Sequence, residues 1–143
     1  MNILPASKKV TYKHRRKLVS LIVLFIVAIL GIYTKLYSGF ADEWVNNSLG
    51  GVFYVIFWCQ VVHFIWPDSS PFKVSLLVLL ATCTIEFTQL SHLAVLESIR
   101  KTFPGRALIG NSFTIDDFWY YIAGAFIAWG IQYSIQNGIK LKK

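Results

Sequence analysis

Glu86 and Gln89 stand three residues apart in "TIEFTQLSHL" (Thr84–Leu93), inside a stretch that otherwise reads as hydrocarbon. A carboxyl group and a carboxamide at that spacing project from one side of a helix. Downstream, Asp117, Tyr121 and Gly124 recur at i, i+4 and i+7, with Arg106 between the two stripes. An ionised carboxylate in hydrocarbon is costly, so such a residue turns inward and either pairs or takes up a proton. Burial favours the neutral acid, whereas a nearby guanidinium favours the carboxylate. The residue types therefore suggest an ion pair from Arg106 to Glu86 or Asp117. Gln89 and Tyr121 would line the same cavity wall, and Gly124 would let a neighbouring backbone approach closely. Such a cluster either clasps helices together or receives the polar end of a ligand, and both alternatives stay open at this point.

These residues need elements to carry them. Hydrophobic residues make up 55% of the 143 and charged residues 15%, against about 25% charged in a typical soluble domain. The apolar residues fall into four runs, Leu18–Thr34, Gly50–Trp66, Val74–Leu93 and Phe118–Ile135. A helix needs roughly 20 mostly apolar residues to cross about 30 Å of hydrocarbon. A soluble fold would have to bury four helices that are apolar all round, in a chain too small to do so. The expected fold class is all-α, a polytopic membrane protein with four transmembrane helices. Residues 1–17 form a basic cytoplasmic arm, and 18–143 a single four-helix domain. If the third span enters at Val74, Glu86 lies about 18 Å along it at 1.5 Å per residue, in the outer half of the bilayer.

The charge of +7 is placed around the spans rather than on a nucleic-acid face. Lys8, Lys9, Lys13, Arg15, Arg16 and Lys17 precede the first run, and Lys140, Lys142 and Lys143 follow the last. Together with Lys73 they put 10 of the 14 Lys and Arg on one side, leaving Lys35, Arg100, Lys101 and Arg106 on the other. Basic flanks mark the cytoplasmic side. A multi-pass protein of the cell membrane with both termini cytoplasmic is expected. Leu18–Thr34 is longer than the 7–15 residues of a signal-peptide core, which favours an anchor. Pro67 and Pro71 bracket a tight turn between the second and third runs. Beyond the third, Leu96, Ile99 and Phe103 recur at i, i+3 and i+7 opposite Glu97, Arg100 and Lys101. That spacing predicts a short helix in the membrane interface before the fourth span.

Several chemistries find no support. Cys59 and Cys83 both fall inside predicted spans, where thiols usually serve as small packing residues. His14, His63 and His92 are scattered, and no metal-ligand spacing or nucleophile–base arrangement appears, so no metal and no cofactor is expected; an enzyme using Glu86 or Asp117 as acid or base stays open but is the less favoured reading. Asn46-Asn47-Ser48 is a sequon in what reads as a polar loop.

The order Glu86-x-x-Gln89, Arg106, Gly110-x-x-Phe113, Asp117-x-x-x-Tyr121-x-x-Gly124 resembles the signature of domain-of-unknown-function family 2809. Members of that family are small bacterial membrane proteins, similar in motif order to the VanZ-like proteins linked to glycopeptide-antibiotic tolerance. The resemblance covers about Ile85–Gly130, and the spacing from Phe113 to Gly124 is its specific part. Ile115 stands where the pattern leads one to expect an aromatic residue, and Asp116 neighbours Asp117. The resemblance implies a fold and a set of positions rather than a reaction.

Two functions follow as expectations. In the first, an outward-facing polar site (Glu86, Gln89, Arg106, Asp117, Tyr121) binds a membrane lipid or a lipid-linked small molecule of the cell envelope. In the second, the same residues only clasp the helices of a structural or accessory subunit, in a homo-oligomer or larger membrane complex. No nucleic acid is expected as a partner in either.

Overall fold

The computed structural model describes residues 6–88, 98–99, 101–102, 105 and 115–141. Among them are four long helices and no strand: α1 (Ala6–Leu36), α2 (Gly50–Ile65), α3 (Pro71–Thr88) and α4 (Asp117–Leu141). Helix α1 starts well ahead of the apolar run that predicted it. From Ala6 onward, the basic segment expected as a separate arm is the first part of this 31-residue helix. Lys and Arg are good helix formers, and no Gly or Pro interrupts the chain from Ala6 to Leu30. Two stretches, Val10–Leu36 and Asp42–Ile65, are long and apolar enough to cross a membrane.

The connection between α1 and α2 differs from the loop expected over Lys35–Leu49. A helical turn, Asp42–Trp44, and a π-helical stretch, Val45–Leu49, run straight into α2. Ala41 enters this turn in the left-handed region at φ 60°, a conformation costing roughly 1–2 kcal/mol for a residue with a Cβ. The Asn46 side chain holds it in place, its amide donating to Tyr37 O at 3.0 Å and to Asp42 O at 2.7 Å. The first residue of the sequon is therefore a helical staple rather than part of a free loop.

Between α2 and α3 the prolines act as anticipated. Helix α2 ends as the Trp66 N–H donates to Val62 O at 2.9 Å, and Ser69 N–H closes the turn on Trp66 O at 3.1 Å. Pro71 then opens α3, where the missing N–H has no partner to lose. The interfacial helix expected over Leu96–Phe103 lies largely outside the described residues. Ser98 and Ile99 are helical, and the Thr102 N–H donates to Ile99 O at 3.1 Å.

Helix α2 packs against α1, α3 and α4, so its Val55, Ile56 and Cys59 lie at the centre of the core, joined by Val27, Val74, Val78, Ala125 and Ala128. The polarity of the bundle is inverted relative to a soluble protein. Ser20, Gln60, His63 and Gln132 are fully buried, whereas Phe25 (62% exposed), Leu77 (68%) and Phe126 (65%) face outward. Arg16 on α1 reaches both the α2–α3 turn and the last turns of α4, which puts those segments at one end of the bundle. The end of α1, the start of α2, the end of α3 and the start of α4 form the other.

Candidate functional site

Val74, Val78, Thr82 and Glu86 recur every fourth residue along α3 and are all buried. Sequence spacing alone thus aims Glu86 into the bundle, and only 2% of it remains exposed. On α4 the matching stripe is Tyr121, Gly124, Ala125, Ala128 and Gln132. The two stripes meet where the Tyr121 hydroxyl donates to Glu86 Oε2 at 2.7 Å. Small residues permit the meeting. A Cβ on Gly124 would stand 2.8 Å from Val52 O, and one on Gly51 would stand 3.0 Å from Tyr121 Cε1. Gly124 therefore brings the α2 backbone against α4, and Gly51 makes room for the tyrosine ring. Phe118 frames the pair, its ring 6.3 Å from Tyr121 and 5.5 Å from Phe87. Tyr54 of α2 lies within electrostatic reach of Glu86.

Asp117 sits one turn ahead of Tyr121 and just before the apolar run Phe118–Ile135. Burial lifts its carboxyl above the usual carboxylate range, the positive charge of Lys35 draws it back, and Asp116 pushes it up. As an acid in the first turn of α4 it also meets the positive end of the helix dipole. Lys35 is a cation at this end, with its ammonium donating to Asn46 O at 2.6 Å. Trp44 closes the rim by donating from its indole N–H to the Tyr120 hydroxyl at 3.0 Å. Of the residues predicted for this site, the structure brings Glu86, Tyr121 and Gly124 into one contact network and places Asp117 beside it. Gln89 and Arg106 lie outside the described residues, as do His92, Gly110 and Phe113.

A second polar network occupies the opposite end. Arg16 donates to Asp68 Oδ1 at 2.8 Å and to Gln136 O at 3.3 Å. The Gln136 amide N–H₂ donates to Ser69 O at 2.7 Å and Pro67 O at 3.2 Å, and lies 3.3 Å from His63 Nε2. The other ring nitrogen, Nδ1, lies 2.8 Å from Ser20 Oγ, the donor in each contact depending on the ring tautomer. His63 thus bridges α1 to α4. One turn deeper, Gln132 donates to Cys59 O at 2.8 Å. Sequence reasoning noted Gln60 and His63 but missed this network. The available signal was the i, i+4 pairing of Arg16 with Ser20 and of Gln132 with Gln136, polar pairs on otherwise apolar helices.

A family model described as "Protein of unknown function (DUF2809)" matches residues 40–125. The chain belongs to this family. The match reaches further towards the N-terminus than the motif order suggested, taking in all of α2 and α3 and ending on α4. The DUF2809 segment therefore contains Gly51, Glu86, Asp117, Tyr121 and Gly124, whereas Arg16, Ser20, Lys35, Gln132 and Gln136 lie beyond it. No curated protein and no solved structure matches the chain.

Proposed function

We propose that the chain is an integral membrane protein with four transmembrane helices and both termini cytoplasmic, whose outward-facing polar site binds an amphiphile, either a lipid or a lipid-linked intermediate of the cell envelope. The observation that carries this is the burial of Glu86, only 2% exposed inside a bundle whose outer surface is largely apolar. Extended apolar surface on α1, α3 and α4 suits lipid as the surrounding solvent. The 10-to-4 division of basic residues supports the orientation, placing Glu86 towards the outer leaflet. Glu86, Tyr121, Asp117 and Lys35 then supply acceptors, a hydroxyl and an ammonium for a polar headgroup, with Gln89 and Arg106 adding to them from the adjoining segment. An interfacial helix over Leu96–Phe103 would flank the entrance. The likeness in motif order to VanZ-like proteins agrees with a cell-envelope ligand.

A helix clasp in an accessory subunit is the second reading, and the directness of the Tyr121–Glu86 bond favours it. Native mass spectrometry of the purified protein separates the two. A ligand site predicts a co-purified lipid adduct that Glu86→Gln diminishes in the folded fraction; a clasp predicts adducts indifferent to that substitution.

A further inference from the structure

Beneath the Arg16–Asp68 pair lies a depression of about 220 Å³, lined by Lys13, Ile65, Trp66, Pro67, Asp68 and Ser69. The DUF2809 motif site is at the opposite end of the bundle.

The walls are built rather than incidental. Asp68 Oδ1 is held by Arg16, and the carbonyls of Pro67 and Ser69 are both held by the Gln136 amide. The turn that lines the depression is therefore anchored to α1 and α4 through buried groups, so its polar atoms are positioned before any ligand arrives. Asp68 nevertheless keeps 63% of its side chain exposed. Lys13, on α1, is exposed as well. Trp66 is 60% exposed and Ile65 47%, giving the depression an apolar flank continuous with the lipid-facing surface.

Lys13, the Asp68 carboxylate with its partner Arg16, and an interfacial tryptophan surround one hollow. We infer that this depression is a headgroup site for an inner-leaflet phospholipid carrying both a phosphate and a primary ammonium. Lys13 meets the phosphate in a charge-assisted hydrogen bond, and Asp68 accepts from the ammonium. Trp66 lies at the level where its ring prefers to sit, and Ile65 meets the start of the acyl chains. A quaternary amine keeps the charge but has no N–H to donate.

The inference rests on the membrane topology proposed above and is independent of what the Glu86 site binds. It is tested on the full chain in nanodiscs holding equal parts of dioleoyl phosphatidylethanolamine, phosphatidylcholine and phosphatidylglycerol, with retained lipid counted by native mass spectrometry. Phosphatidylethanolamine should be retained over phosphatidylcholine by about fivefold, the scale of one charge-assisted hydrogen bond at a partly exposed site. Mono- and dimethylated ethanolamine headgroups should fall between. Lys13→Ala should abolish most of that retention. Asp68→Asn should erase the preference for ethanolamine over choline; because Arg16 leans on Asp68, the wild-type headgroup series is the measurement that does not depend on this variant folding. Equal retention of the three headgroups, or a preference that survives Lys13→Ala, overturns the inference while leaving the Glu86 reading intact. Recovery of the chain in the soluble fraction after carbonate extraction overturns both.

Discussion

A buried carboxyl keeps its place only while something donates to it, and at Glu86 the Tyr121 hydroxyl does so. Tyr121→Phe removes that donor and leaves the acid in place. The loss should be about 1–3 kcal/mol, the scale of a buried polar group left short of a partner, read as a lowered unfolding midpoint in detergent. Glu86→Gln should cost less, since an amide oxygen still accepts from the tyrosine. At the other end the asymmetry runs through exposure. Asp68→Ala strands a buried guanidinium and should cost about 1–3 kcal/mol, allowing for the exposure of the lost partner. Arg16→Met leaves an aspartate that water can solvate and refills the stem volume, so it should be milder; equal losses would contradict that assignment. Glu86 and Tyr121 were legible in the sequence because an ionisable group in an apolar run must find company. Lys35 was not, because a lysine at the end of an apolar run reads as a boundary marker, and its approach to Asp117 depends on how two distant helices dock.

Helix identity was readable from the apolar runs, each of which coincides with one long helix over the described residues. Helix ends were less so. Basic residues that mark a topological boundary also propagate a helix, which is why α1 begins at Ala6 rather than Leu18. The segment ahead of α2 read as a loop from its polar residues, yet Asn46 spends its polarity on two backbone carbonyls and holds the chain helical. The Arg16–Ser20–His63–Gln136 network escaped notice because its members come from three helices and each is unexceptional alone. Helix packing yields its own test. Gly124→Ala places a Cβ against the Val52 carbonyl, so α2 and α4 must separate, at a cost of about 1–3 kcal/mol. Gly130 has open space around the corresponding position, and Gly130→Ala should be neutral or stabilising by up to about 1 kcal/mol. Equal effects of the two substitutions in thermal unfolding would mean that the close approach at Gly124 is absent.

At the scale of the whole molecule, polar groups are gathered at the two ends of the interior, with Val55, Val78, Ala125 and Ala128 between them. The proposed orientation can be checked in intact cells. With Cys59 and Cys83 replaced by Ala, a cysteine at position 101 should react with a reagent that cannot cross the membrane, and one at position 70 should not. The reverse pattern would turn the protein over and move Glu86 to the cytoplasmic side. The most direct test of the central claim, that the Glu86 end receives a ligand rather than merely clasping helices, uses the double variant Glu86→Leu/Tyr121→Phe. Replacing both partners by apolar groups of similar shape can be nearly neutral for stability. Adducts are then counted by native mass spectrometry on protein that unfolds at the wild-type midpoint. The account predicts a folded variant that has lost the lipid adduct carried by the wild type, with the ethanolamine-dependent adduct at Lys13 still present. A folded variant with its full complement of adducts would contradict it.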